Sequence, residues 1–372
     1  MIRFPVHAAA VLLLTSLLAQ GAAAQIRVGQ TAGFSGPVAA GVKETTDGAK
    51  LYLDAVNARG GVHGAKIELV SLDDKFDPKL AAENARKLVA DPQMVSLFLT
   101  RGTPHAQAIM PILTEAGIPL VAPSTGAMVL HEPVHPWLFN VRATYQREAE
   151  RAVLHLNTIG VTRIAIIHVD DSFGADCAAG AEKGFKAIGR APLLVEKYDR
   201  VKPDFTQIAP KVAKAEAQAV LFFGSGSAVA DGMVALRAAG SRAQVLTASN
   251  NASLGFIKSL KDNGHGTVVM QVFPNERSLA APIVKEANDL AMARGLSGLT
   301  PSMVEGFAGA KVLVEALRRA GPKPTRDKLR LALDSMDKVD IGGMELGYSP
   351  TDHSGLDYVD MSIITAHGTF RR

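Results

Sequence analysis

The chain has 372 residues, 47% hydrophobic, 20% charged and 5% aromatic, with a net charge of +4. That length supports two lobes of ordinary domain size. No Lys/Arg run exists and aromatics are sparse, so nucleic-acid binding has no footprint, and the single cysteine, Cys177, excludes a disulfide framework.

Met1-Ile2-Arg3-Phe4 precedes an apolar core from Ala8 to Leu18 and the small residues Gly21-Ala22-Ala23-Ala24. These are the charged, apolar and cleavage regions of a signal peptide cut after Ala24. The run is too short to span a bilayer well, and no later run reaches the roughly 20 residues a spanning helix needs. No Cys stands at the cut for lipid attachment, so a soluble, exported mature chain is expected.

Ile26 to Gln30 reads as a strand, followed by the turn-rich loop Thr31 to Pro37. Asp47 to Ala58 has helical periodicity through Ala49, Tyr52, Leu53 and Val56. The strand Ile67 to Leu72 and the turn Asp73 to Pro78 lead into a helix from Lys79 to Ala90. Val95 to Leu99 is an apolar strand and Thr100 to Pro104 a small polar loop. The run from Pro104 to Ala116 places Ile109, Ile112, Leu113 and Ala116 on one helical face; Gly117 stops it, and Ile118 to Ala122 is a second strand. This is the βαβ unit of a parallel sheet. Its loops at Thr103 and Ser124-Thr125-Gly126 follow the carboxyl ends of strands, where open α/β sheets bind ligands. Thr103 is expected to cap the helix, with Pro104 as its first residue, and the free N–H groups there attract a carboxylate or phosphate.

A Pro-punctuated connection from His131 to Phe139 and a crossing segment from Val141 to Tyr145 lead to a second lobe. There Glu148 to Ile159 reads as a helix and Arg163 to His168 as a buried strand. A polar loop through Asp170, Asp171 and Ser172 opens a helix to Ile188. A strand from Val195 to Tyr198 and a helix from Phe205 to Ala215 follow. Val220 to Asn251 then repeats the first layout: strand, the loop Gly224-Ser225-Gly226-Ser227, a helix through Met233, Leu236 and Ala239, strand, and Ala248-Ser249-Asn250. Two such lobes face to face make a cleft lined from both sides. Val268 to Val272 is a strand and Pro274 to Arg277 a second crossing. Helices over Pro282 to Arg294, Pro301 to Ala320 and Thr325 to Met336 precede an extended tail from Gly343.

His131-Glu132-Pro133-Val134-His135 matches the zinc-protease pattern HExxH, which needs both imidazoles on one helical face. Pro133 and Pro136 prevent that helix, so a solvated loop without a metal is expected. No complete nucleophile elbow, Walker A sequence, GxGxxG or CxxC occurs. Asp73-Asp74 is expected to be a solvated strand end, Asp170-Asp171 lies in a cleft loop, and Cys177 reads as a buried small hydrophobe.

Ser35-Gly36-Pro37, Asn57-Ala58-Arg59-Gly60-Gly61-Val62, Asp73 to Pro78, Gly117 to Ser124, Arg163 to Ile167 and Ala316 to Gly321, in this order, resemble the periplasmic solute-binding proteins of the leucine/isoleucine/valine-binding type. The similarity spans essentially the whole mature chain. It implies an α/β type I periplasmic binding protein fold, two Rossmann-like lobes with parallel central sheets on a three-segment hinge. Lobe one would comprise residues 25–143 and 275–342, and lobe two 144–274 and 343–372. It also implies a periplasmic, monomeric, cofactor-free, non-enzymatic protein that hands a solute to an inner-membrane ABC permease. The matching positions for a ligand carboxylate are Thr103, Ser124 and Thr125, and Phe173 is the matching aromatic cover. Phe34, Tyr145, Ser225 and Asn250 complete the expected site.

Three departures stand out. The second-lobe segment that usually offers an acid for an ammonium is Thr247-Ala248-Ser249-Asn250, an aromatic is replaced by Ser225 and Ser227, and the usual Ser-Ala-Thr is Ser124-Thr125-Gly126. Carboxylate capture therefore fits better than ammonium capture, with Asp171 and Glu305 as substitute acids. The solute is expected to be an amino acid, possibly branched-chain, or a related organic acid. Alternatives are a sensor presenting closed lobes to a receptor or regulator, and an exported hydrolase, for which no nucleophile–base pair is legible.

Overall fold

The computed structural model describes residues 25–372; the expected signal peptide lies outside the described residues. The first sheet is built from β1 (Gln25–Ala32), β2 (Lys66–Asp73), β3 (Met94–Phe98), β4 (Leu120–Val121) and β5 (Leu138–Phe139), all parallel in the order β2-β1-β3-β4-β5. The helices α1 (Ala39–Ala58), α2 (Pro78–Val89) and α3 (Thr103–Ala116) connect the first four.

After α4 (Tyr145–Thr158) the same pattern recurs. The second lobe runs through β6 (Ile164–Val169), α5 (Ser172–Ala187), β7 (Leu194–Tyr198), α6 (Ile208–Lys214) and β8 (Ala219–Phe223). It continues through α7 (Gly226–Ala238), β9 (Gln244–Thr247), α8 (Leu254–Leu260) and β10 (Val268–Gln271). Its parallel strands lie in the order β7-β6-β8-β9-β10, the order of the first sheet repeated. Both faces of these sheets are covered, which is why β3, β6 and β8 are buried along their whole lengths and mostly apolar, Ser96 and His168 excepted.

The chain then returns to the first lobe with α9 (Pro282–Ala293), α10 (Pro301–Ala320), α11 (Arg326–Asp334) and the short pair β11 (Val339–Asp340) and β12 (Glu345–Leu346). Leu346, Tyr348 and Leu356 still pack in the first-lobe core. Only β13 (Asp360–Ile364) and β14 (Phe370–Arg371) join the second sheet, antiparallel at its edge. Among the described residues the chain thus crosses between the lobes three times, after β5, after β10 and before β13.

The first helix begins at Ala39, eight residues before the periodicity of the sequence suggests. Gly41, Thr45, Thr46 and Gly48 are poor helix formers but all are buried, Thr45 and Gly48 against α10. A Cβ at Gly48 would stand 2.0 Å from the Met303 carbonyl oxygen, and one at Gly306 1.8 Å from that of Thr45. Close backbone packing therefore overrides propensity.

Candidate functional site

A cavity of about 310 Å³ lies between the lobes at the carboxyl ends of both sheets. Its first-lobe wall is Pro37, Val38, Phe76, Arg101, Gly102 and Thr103. Four non-glycine residues with left-handed backbone shape this side: Leu99 and Ala122 at the ends of β3 and β4, and Lys75 and Phe76 after β2. Strained backbone of this kind persists only where the surrounding packing imposes it.

Gly102, at φ 97°, occupies the cap position of α3, and a Cβ there would lie 2.7 Å from His105 Nδ1. Thr103 is therefore the first helical residue, not the cap expected from the sequence. Its hydroxyl instead shares a 2.7 Å hydrogen bond with the Thr125 hydroxyl. Ser124 and Thr125 are buried behind the cavity wall and brace it.

Arg101 is the residue that sequence reasoning missed. It is only 5% exposed, yet no carboxylate pairs with it among the described residues. Nη1 donates to Ser124 Oγ at 3.0 Å, and Nη2 reaches across the cleft to the Asn250 carbonyl at 2.5 Å. Ser124 in turn donates to Glu305 Oε1 at 2.8 Å. Glu305 therefore touches the loop that carries the cavity without lining the cavity itself.

Phe76 is held between His105, stacked at 4.5 Å, and Arg200 of the second lobe, whose guanidinium lies 4.9 Å from the ring centroid. Burial, helped by the Arg200 charge, pushes the His105 imidazole down to about 4. Asp74 is buried rather than solvated. It accepts from the Phe76 N–H at 2.9 Å and the Thr31 hydroxyl at 3.1 Å, and burial pushes its carboxyl up to about 6 despite those bonds. Asp171 caps α5, accepting from the N–H groups of Phe173 and Gly174 at 2.9 and 3.0 Å, and takes Arg200 Nε at 2.5 Å. It has no capacity left for a ligand ammonium.

The second-lobe wall includes Tyr145, Phe173, Tyr198, Ser225, Asp231 and Asn250. Phe173 meets Tyr145 edge-on at 4.8 Å, packs in the lobe core and forms part of the cavity wall. Arg142 backs the Tyr145 ring and forms a buried ion pair with Glu148, both bound to Ser249, at the first crossing. Asn250 Nδ2 donates to the Gly224 carbonyl at 2.9 Å. Of the expected residues, Thr103, Tyr145, Phe173, Ser225 and Asn250 meet at the cavity; Phe34 packs outside it with Val38 and Val42. Tyr198, Arg200 and Asp231 join them with no advance signal in the sequence.

Outside the cavity, Glu44 of α1 accepts from the Leu254 and Gly255 N–H groups at the start of α8, at 3.1 and 3.0 Å, and so clasps one lobe to the other.

The HExxH segment forms no helix, since a single 3-10 turn ends at Leu130. His131 is buried, not solvated, and both ring nitrogens lack partners. No group of three potential metal ligands occurs among the described residues. Cys177 is buried in the second-lobe core, where burial holds its thiol protonated.

Residues 25–364 match the family model described as periplasmic binding protein. A Leu/Ile/Val-binding protein homolog of Brucella melitensis is 27% identical over 345 residues, covering 90% of this chain and 89% of that protein. The Leu/Ile/Val-binding protein of Escherichia coli K12 is 24% identical over 66% of this chain and 67% of its own length. A substrate-binding periplasmic protein from Ralstonia solanacearum superposes with a TM-score of 0.84 at 32% identity, covering 93% of this chain and 99% of that one.

Proposed function

Because this chain belongs to the periplasmic binding protein family, whose members bind solutes rather than transform them, we propose that it captures a small carboxylate-bearing solute in the inter-lobe cavity. The solute would be an amino acid or related organic acid, held by lobe closure and delivered to an inner-membrane ABC permease. The observation that carries this reading is Arg101, a buried guanidinium on the cavity wall with no ion-pair partner among the described residues. A buried charge is costly unless it is paired, and an entering carboxylate supplies the missing partner. Two of its five N–H donors are engaged, with Ser124 and Asn250, which leaves others for the solute.

Thr103, at the amino end of α3, adds a backbone donor in the field of the helix dipole. Ser124 and Thr125 hold Arg101 and Thr103 in place. Tyr145, Phe173 and Tyr198 enclose the body of the solute. Closure follows from population shift, since a solute touching both walls binds only the closed form in full.

The test is a thermal-shift screen of refolded, ligand-stripped protein against amino acids, aliphatic and aromatic acids, amides and sugars. A carboxylate held at about 100 times its dissociation constant should add roughly 2.7 kcal/mol of stability. Stabilisation by sugars or neutral amides alone would refute the reading.

A further inference from the structure

The two walls of the cavity differ in hydrogen-bonding sense. The first-lobe wall presents donors, the Arg101 guanidinium and the start of α3. The second-lobe wall adds a free carboxylate, that of Asp231. Asn250 Oδ1 is buried and has no partner, and its orientation is fixed because Nδ2 donates both to the Gly224 carbonyl and to Asn251 Oδ1. Asp231 lies one turn beyond Ser227 on the face of α7 that lines the cavity. It stands exposed at the mouth, and its carboxylate makes no hydrogen bond or ion pair with any described residue.

The other acids around the cleft are occupied. Asp171 is bound to Arg200 and to the first turn of α5, Glu305 to Ser124, and Glu148 to Arg142 and Ser249. An α-ammonium, one carbon from a carboxylate held at Arg101, would find none of them free. Arg200 is a poor second anchor for an anion, since Asp171 neutralises it and Phe76 covers one face.

We propose that Asp231 is the specificity-determining residue of the cavity and selects a solute whose cationic or N–H donor group is remote from its carboxylate, an ω-amino acid. The inference rests on the reading of Arg101 as the carboxylate anchor. Asp231 attracts the distal group through partly screened solvent, so its contribution to preference is about fivefold and falls with added salt.

The test is calorimetric titration of the refolded, ligand-stripped full chain. The probes are unbranched ω-amino acids from β-alanine upward, fatty acids and dicarboxylates of matched length, and leucine. One length of ω-amino acid should bind about fivefold or more tightly than its fatty-acid counterpart. That preference should vanish in Asp231→Asn and turn toward dicarboxylates in Asp231→Lys, with melting temperatures unchanged because the side chain is exposed. Two results overturn the inference alone: a preference for leucine or dicarboxylates in the parent, or an ω-amino acid preference that Asp231→Asn leaves intact. If no acid of any series binds, the reading of Arg101 fails and the inference fails with it.

Discussion

The unit β3–α3–β4 and the unit β8–α7–β9 share an order of elements and a place in their sheets, yet they carry different chemistry to the cleft. The first ends its strands in left-handed residues, Leu99 and Ala122, and buries a guanidinium between them. The second ends in Gly224-Ser225-Gly226-Ser227, whose two hydroxyls stand 3.5 Å apart and make no other side-chain hydrogen bond among the described residues. One scaffold thus supports a buried cation set in strained backbone on one side and a hydroxyl-bearing loop, with the Asp231 carboxylate one turn further on, on the other. Rigidity on the cationic side is physically apt, because an ion pair gains most when its geometry is set in advance.

Substitutions can break this contrast or sharpen it. The largest effect should come from Phe173→Ala, which opens a hole in the second-lobe core and should cost about 3–5 kcal/mol of apo stability in denaturant melts. A variant that keeps its stability and loses only affinity would give Phe173 the role of cover. Arg101→Ala should weaken solute binding by about 2–5 kcal/mol in titration calorimetry, since it leaves a buried carboxylate unpaired.

The pH dependence separates the lobes in another way, because two shifted groups flank Phe76 in the first. Asp74 titrates near 6 in the fold against 3.8 when free, so the folded state takes up its proton first and gains stability as pH falls from 6 toward 4. His105 titrates near 4 against 6.5, so the unfolded state takes up its proton first and stability falls from pH 6.5 toward 4. The two oppose each other. Asp74→Asn should therefore raise stability at pH 7 by something on the order of 2 kcal/mol and make acid melting steeper. A flat profile in that variant would show that His105 is not the opposing group.

Thr103→Val should weaken binding by about 1–3 kcal/mol, because it strands the Thr125 hydroxyl and loosens the start of α3. Ser225→Ala, at the equivalent loop of the second unit, should cost less than about 1 kcal/mol. Equal losses would erase the asymmetry between the units.

Much of the fold was legible because its signals are local. Strand-length apolar runs, helical periodicity and turn residues gave both βαβ units and the loops at their carboxyl ends. Five of the eight expected site residues face the cavity for the same reason, each following a strand or opening a helix. Arg101 was illegible because its role depends on Ser124 and Asn250, 23 and 149 residues away in sequence, closing around it. Asp74 looked like a solvated strand end, and only the Thr31 hydroxyl and the turn at Phe76 show that it is buried. The early start of α1 was hidden by glycines and threonines, of which Thr45 and Gly48 owe their place to close contact with α10.

The Glu44 clasp has its own consequence for uptake. It joins the lobes without touching the cavity, so whatever it contributes to the closed shape is present with or without cargo. An empty but closed molecule would compete with a loaded one for the same membrane docking site. Strengthening the clasp would tighten apparent affinity while raising the traffic of vacant carriers, and weakening it would do the reverse. On the proposed role, Glu44 would tune the fidelity of delivery without meeting the solute.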